Sequence, residues 1–151
     1  MTVAYVGLGA NLGPREVTLL RAVDLLAEAD DVEVLAVSQL RDTEPVGVLD
    51  QPSFLNGAVR IETTLEPRAL LELLLGIERS LGRVRAERWG PRSVDLDLLV
   101  YGDETVDDPG LRIPHPRLHE RRFALEPLAE LDPDLVIPGL GSVSAALTAL
   151  D

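Results

Sequence analysis

Two aspartates, Asp95 and Asp97, interrupt the otherwise apolar stretch "SVDLDLLVYG" at 93–102. The stretch reads as a strand, so both carboxylates share one face while Val94, Leu96, Leu98 and Val100 point the other way into a core. They would sit about 6–7 Å apart along the strand, and at an effective dielectric near 20 their repulsion costs about 2–3 kcal/mol if nothing offsets it. One explanation is neutralisation by arginine. The other is a magnesium site, since two hard carboxylates on a rigid face can hold one or two Mg²⁺ ions and leave positions for water and phosphate oxygens. Arg83, Arg85, Arg88 and Arg92 precede the pair in a short loop. Acidic ligands beside guanidinium groups are what nucleoside triphosphate chemistry requires.

Other candidates are individually weaker. The only phenylalanines are Phe54 and Phe123, and Asn56 lies two residues beyond Phe54, on its face. An aromatic ring beside an amide can grip a flat heterocycle, with stacking worth about 0.5–1.5 kcal/mol beyond buried area. His115 and His119 have the H-x-x-x-H spacing of a helical zinc site. Pro114 and Pro116 flank His115 and oppose a helix there, so a phosphate contact from His115, near Arg121, is the functional option. "GLGANLG" (7–13) lacks the GK[ST] of a phosphate loop and the glycine spacing of a dinucleotide fingerprint, and reads as a tight strand-to-helix turn.

The elements that must position these residues follow from periodicity. Residues 2–10 read as a strand. Residues 13–31 read as a helix opened by Pro14, with Val17, Leu20, Val23, Leu26 and Ala27 near helical spacing. Residues 32–41 and 54–63 read as two strands joined by a Pro/Gly loop with no helix between them, hence antiparallel. Pro67 opens a second helix that ends near Gly82, followed by the aspartate strand and a short strand near 104–106. The remainder reads as loop and short helix with a helical tail. The order β-α-β-β-α-β predicts an α+β, ferredoxin-like antiparallel sheet with helices packed on it and a C-terminal extension, residues 1–151 forming a single domain. That fold hosts many chemistries and decides none of them.

Composition narrows the classes. The 151 residues carry a formal net charge of −12. That opposes nucleic-acid binding, which needs a basic footprint. The chain has no lysine, and nine of its fourteen arginines crowd into clusters at 79–92 and 112–122, a pattern suited to a local anion site. There is no cysteine, which excludes disulfides, thiolate metal sites and cysteine nucleophiles. No segment reaches membrane-spanning length and "MTVAYVGLG" has no basic leader pattern, so a cytoplasmic protein without membrane attachment is expected.

Taken together, "YVGLGANLG", "DQPSFLNGAV", "GIERSLGRVR", "RWGPRSVDLDLL" and "IPHPRLHERRFALEPL", in that order along almost the whole chain, resemble the 6-hydroxymethyl-7,8-dihydropterin pyrophosphokinases of folate biosynthesis. The resemblance implies ATP and 6-hydroxymethyl-7,8-dihydropterin as substrates, two Mg²⁺ ions, and transfer of pyrophosphate to the pterin hydroxyl with release of AMP. It implies Asp95 and Asp97 as metal ligands, with Arg83 and Arg92 joining them in catalysis. Glu78, Arg83, Arg92, Leu98, His115 and Arg121 would meet ATP, and Arg85 and Arg88 would close over it as a lid. Phe54 and Phe123 would sandwich the pterin, Thr43, Pro45, Val46 and Asn56 would line its edge, and Trp89 would help close the site. A monomer is expected. Two other classes stay open on the residues themselves. A metal-dependent nucleotidyltransferase would release pyrophosphate, and a non-catalytic ferredoxin-like module would bind a small ligand without turnover.

Overall fold

The computed structural model describes residues 1–11, 14–43, 54–82 and 94–151. Five strands form the main sheet: β1 (Thr2–Ala10), β2 (Val32–Val37), β3 (Arg41–Thr43), β4 (Phe54–Thr63) and β5 (Asp95–Tyr101). Their order is β2-β4-β1-β5, with β3 also paired to β4 and every pairing antiparallel. Helices α1 (Arg15–Glu28) and α2 (Pro67–Gly82) supply the crossovers of the ferredoxin-like order. The expected single strand at 32–41 is instead two pieces on one edge. Between them Ser38 keeps its link to the sheet, donating its N–H to the Ala58 carbonyl and accepting the Ala58 N–H on its hydroxyl, both at 2.9 Å.

α2 has the expected bounds, and Pro67, Leu70, Leu74 and Ile77 are buried at three- and four-residue spacing. α1 is rotated from expectation. Leu19, Ala22 and Leu26 are buried, while Val17 is 66% and Leu20 47% exposed. Apolar residues occur around much of α1, so periodicity alone does not select its inward face. α1 and α2 cover one face of the sheet and enclose the larger core with Val6, Leu8, Ile61, Leu96 and Leu98.

The C-terminal segment covers part of the opposite face. The strand expected near 104–106 lies two residues later, as β6 (Val106–Asp108), paired with β7 (Leu111–Ile113). A 3₁₀ turn at Leu118–Glu120 leads into α3 (Arg122–Leu131); a two-residue-per-strand hairpin, β8 (Val136–Ile137) and β9 (Gly141–Ser142), precedes α4 (Val143–Thr148). Leu125 and Leu128 of α3 and Val143 of α4 pack on Tyr5, Ala58, Leu99 and Val100. Val100 therefore does not share a face with Leu96 and Leu98. Tyr5 pairs with Val100 and Val6 with Leu98, leaving Leu99 as an extra residue that reverses the alternation.

Candidate active site

α3 and α4 leave one end of their sheet face uncovered, and the site residues lie there. Strand pairing lines them up across the sheet. Arg41 is opposite Asn56, Asn56 opposite Gly9, and Gly9 opposite Asp95. In the next row Ala58 is opposite Gly7, and Gly7 opposite Asp97. The central strand thus presents glycine beside Asn56, Asp95 and Asp97. A Cβ at Gly9 would come within 3.3 Å of Asn56 Nδ2, and one at Gly7 within 3.1 Å of Leu99 Cδ1. Gly7 and Gly9 form the floor of a cleft of about 600 Å³; the tight turn expected from "GLGANLG" falls after them, on Leu12 and Gly13, outside the described residues.

One wall holds Thr43, Phe54 and Asn56. Asn56 is buried, and the Thr43 hydroxyl donates to its Oδ1. This contact leaves the Asn56 Nδ2 group over the Gly9 floor, where it can read the edge of a flat ligand. Phe123 enters from α3, so both phenylalanines border the same cleft. The Arg121 guanidinium lies 5.6 Å from the Phe123 ring centroid, within cation–π reach.

The opposite wall carries the aspartates. Asp97 Oδ2 is 3.9 Å from Arg121 Nη1, and its side chain is 45% exposed. Asp97 and Arg121 are therefore neighbours without forming a closed ion pair. The Leu96 N–H, between the aspartates, donates to Glu78 Oε2 at 2.7 Å. The charge-assisted bond ties α2 to the edge of β5 away from β1 and holds the carboxylate pair in place. His115 is fixed from two sides: its N–H donates to the Leu99 carbonyl, and its Nδ1 accepts the Arg117 N–H at 3.1 Å. The ring proton then resides on Nε2. Burial, reinforced by Arg121, lowers the His115 pKa against an opposing pull from Asp97. The ring is consequently a neutral donor near neutral pH.

Comparisons with known proteins decide the family. The family model for 7,8-dihydro-6-hydroxymethylpterin-pyrophosphokinase (HPPK) matches residues 5–133. A 2-amino-4-hydroxy-6-hydroxymethyldihydropteridine pyrophosphokinase of Methylorubrum extorquens is 50% identical over 151 residues, covering 100% of this chain and 95% of the relative. One from Bacillus subtilis is 50% identical over 129 residues, 85% of this chain and 77% of that protein. The chain belongs to the HPPK family. A crystal structure of Plasmodium falciparum HPPK-DHPS agrees in fold, with TM-score 0.77, 14% identity and 98% of this chain covered. This chain spans 44% of that longer one.

Within this HPPK chain, Thr43, Phe54, Asn56, Asp95, Asp97, Arg121 and Phe123 all line one cleft; Glu78 and His115 do not line it, Glu78 accepting from the Leu96 N–H between the aspartates and His115 lying within electrostatic reach of Asp97. The Leu98 side chain is buried in the core on the α1/α2 face, so only its backbone is left for a ligand. Pro45, Val46, Arg83, Arg85, Arg88, Trp89 and Arg92 lie outside the described residues. Sequence reasoning missed the Gly7/Gly9 floor, although the i, i+2 spacing that paired the aspartates applies equally to these glycines. It also missed Arg117 and Glu120, which line the cleft and pair with each other at 3.1 Å, a bond that lowers the Glu120 pKa. Arg117 belongs to the 112–122 arginine cluster, but no spacing singled it out from its neighbours or marked Glu120, because both lie in or beside the 3₁₀ turn.

The donor set fits magnesium. Asp95 and Asp97 are half-buried on one face above a floor without side chains, and no group of three or more His, Cys, Asp or Glu gathers among the described residues. Two carboxylates with room for water and phosphate oxygens suit Mg²⁺, which rarely takes an all-protein cage.

Proposed function

We propose that this chain transfers the β,γ-pyrophosphate of ATP to the hydroxyl of 6-hydroxymethyl-7,8-dihydropterin and releases AMP. It is a transferase, a pyrophosphokinase of folate biosynthesis, as its family and relatives are. The observation that carries the reading is the pairing across the glycine floor: two strand carboxylates on one side, an amide-and-phenylalanine slot on the other.

Phe54 and Phe123 hold the pterin ring between them while Thr43 and Asn56 read its edge, joined by Pro45 and Val46. The attacking oxygen belongs to the substrate, so the protein needs no nucleophile of its own. Its task is to align that oxygen with the β-phosphorus and to meet the charge on the phosphates. The His115 Nε2–H, Arg121, Arg83 and Arg92 meet the phosphate oxygens. Glu78 and the outward-facing backbone of Leu98 border the nucleotide. Arg85, Arg88 and Trp89 close the site and exclude water, which limits hydrolysis of ATP. Two Mg²⁺ ions held by Asp95 and Asp97 would offset phosphate charge and acidify the hydroxyl.

We further assign the chain as a single-domain monomer acting in the cytoplasm. No helix among the described residues is long and apolar enough to cross a membrane. Incubation with ATP, Mg²⁺ and the reduced hydroxymethylpterin tests the reaction. AMP and the pterin diphosphate are expected, and EDTA should abolish both. Release of free pyrophosphate instead would indicate nucleotidyl transfer, and binding without turnover a non-catalytic module.

A further inference from the structure

We propose that Glu130, through Arg41 and Gln39, is a positioning residue for the pterin slot. The inference rests on the function proposed above. Glu130 lies seven residues beyond Phe123 on α3, two helical turns away and on the same side. Its carboxylate spans the gap to the sheet edge: Oε1 accepts from Arg41 Nη2 at 2.6 Å and Oε2 from the Gln39 N–H at 2.9 Å. Both donors belong to the segment where the edge strand is broken and restarted. β3 is only three residues long, and among the described residues β4 is its one partner in the sheet. Such a short strand has little pairing of its own to hold its register.

What β3 carries explains why that register matters. Arg41 is opposite Asn56 and Thr43 opposite Phe54. The Thr43 hydroxyl orients the Asn56 amide. The same carboxylate therefore fixes β3, which aims Asn56, and α3, which presents Phe123. It sets the distance between the two walls that grip the heterocycle without touching the ligand. Arg41 Nη1 is buried with no hydrogen-bond partner among the described residues, so Arg41 keeps this geometry at the expense of an unmet donor. An arginine recruited only for surface solubility would not be held so.

The test is a double-mutant cycle on the purified full chain, read by separate KM values for pterin and ATP. Glu130→Ala should raise the pterin KM about tenfold, change the ATP KM less than twofold, and leave kcat within threefold at saturating pterin. Thr43→Val should raise the pterin KM by a similar factor. The combined variant should be no worse than the poorer single variant, because both changes release the same amide. Glu130→Gln, which keeps an acceptor for the Gln39 N–H, should recover part of the loss. If Glu130→Ala does not fold, Glu130→Gln takes its place in the cycle, with a two- to threefold rise expected. Equal losses for ATP and pterin, multiplicative effects in the combined variant, or an unchanged pterin KM would overturn the proposal. Wild-type protein that forms no AMP would instead remove the function on which it rests.

Discussion

The two faces of the sheet are built to different ends. The face beneath α1 and α2 is apolar along its length, with Val6, Leu8, Ile61, Leu96 and Leu98 closed over by helices. The other face changes character partway along. From Tyr5, Leu99 and Val100 outward it packs on α3 and α4; towards Gly7, Gly9, Asp95 and Asp97 it opens into the cleft. Strands shared by both faces hold the reactive groups rigidly, and the reactive face need contribute little burial of its own. Stability and chemistry are thereby assigned to opposite sides of the same backbone.

Substitutions on either side should separate accordingly. The largest effect is expected from Asp95→Ala or Asp97→Ala, with turnover falling at least about 10³-fold because several kcal/mol of charge stabilisation is lost. In Asp97→Ala the melting temperature should hold or rise, because the long Arg121 contact offsets little of the carboxylate repulsion. Full activity in either variant would refute the metal site. Leu74→Ala, in the closed core, should do the reverse: a loss of about 2–5 kcal/mol in denaturant unfolding, with near-normal kcat for the folded fraction. Phe123→Ala comes next, weakening pterin binding about 10- to 30-fold through lost stacking and buried area. Isothermal titration should show ATP binding much less affected, and equal losses would count against the sandwich. Gly9→Ala should raise the pterin KM several-fold, since the new methyl group crowds Asn56 Nδ2; an unchanged KM would show that the floor has room to spare.

The smallest effect concerns pH. His115 has a folded pKa below its ordinary value of 6.5, with burial the leading cause. The folded state therefore binds this proton less readily than the unfolded chain does. Stability from this group is complete above pH 6.5 and declines as pH falls through the lowered folded value. His115→Gln should flatten that part of the stability profile in urea titrations at stepped pH. An identical slope in the variant would assign the acid sensitivity to other groups.

How far the sequence could be read depended on whether a signal was local. α2 was legible because its inward residues follow one clear stripe opened by Pro67. α1 was legible as a helix but not in its rotation, since its apolar residues do not single out a face. The aspartate pair was legible because period two is a local rule, yet that rule failed at Val100, where the extra residue Leu99 depends on pairing with β1. The split of the edge strand at 38–40 was hidden for a related reason. Its causes, the Ser38 contacts to Ala58 and the Glu130 bond to Gln39, come from residues 20 and 91 positions away.

From the residues alone came the element order, the carboxylate couple, the absence of any cysteine chemistry and a family resemblance borne out by the relatives. Tertiary structure decided which glycines become a floor, which neighbour orients Asn56, and how far Arg121 stands from Asp97. The division has one physical origin. Backbone geometry propagates over a few residues and can be read in sequence, whereas an opening in a packed surface exists only once distant segments have met and left a gap between them.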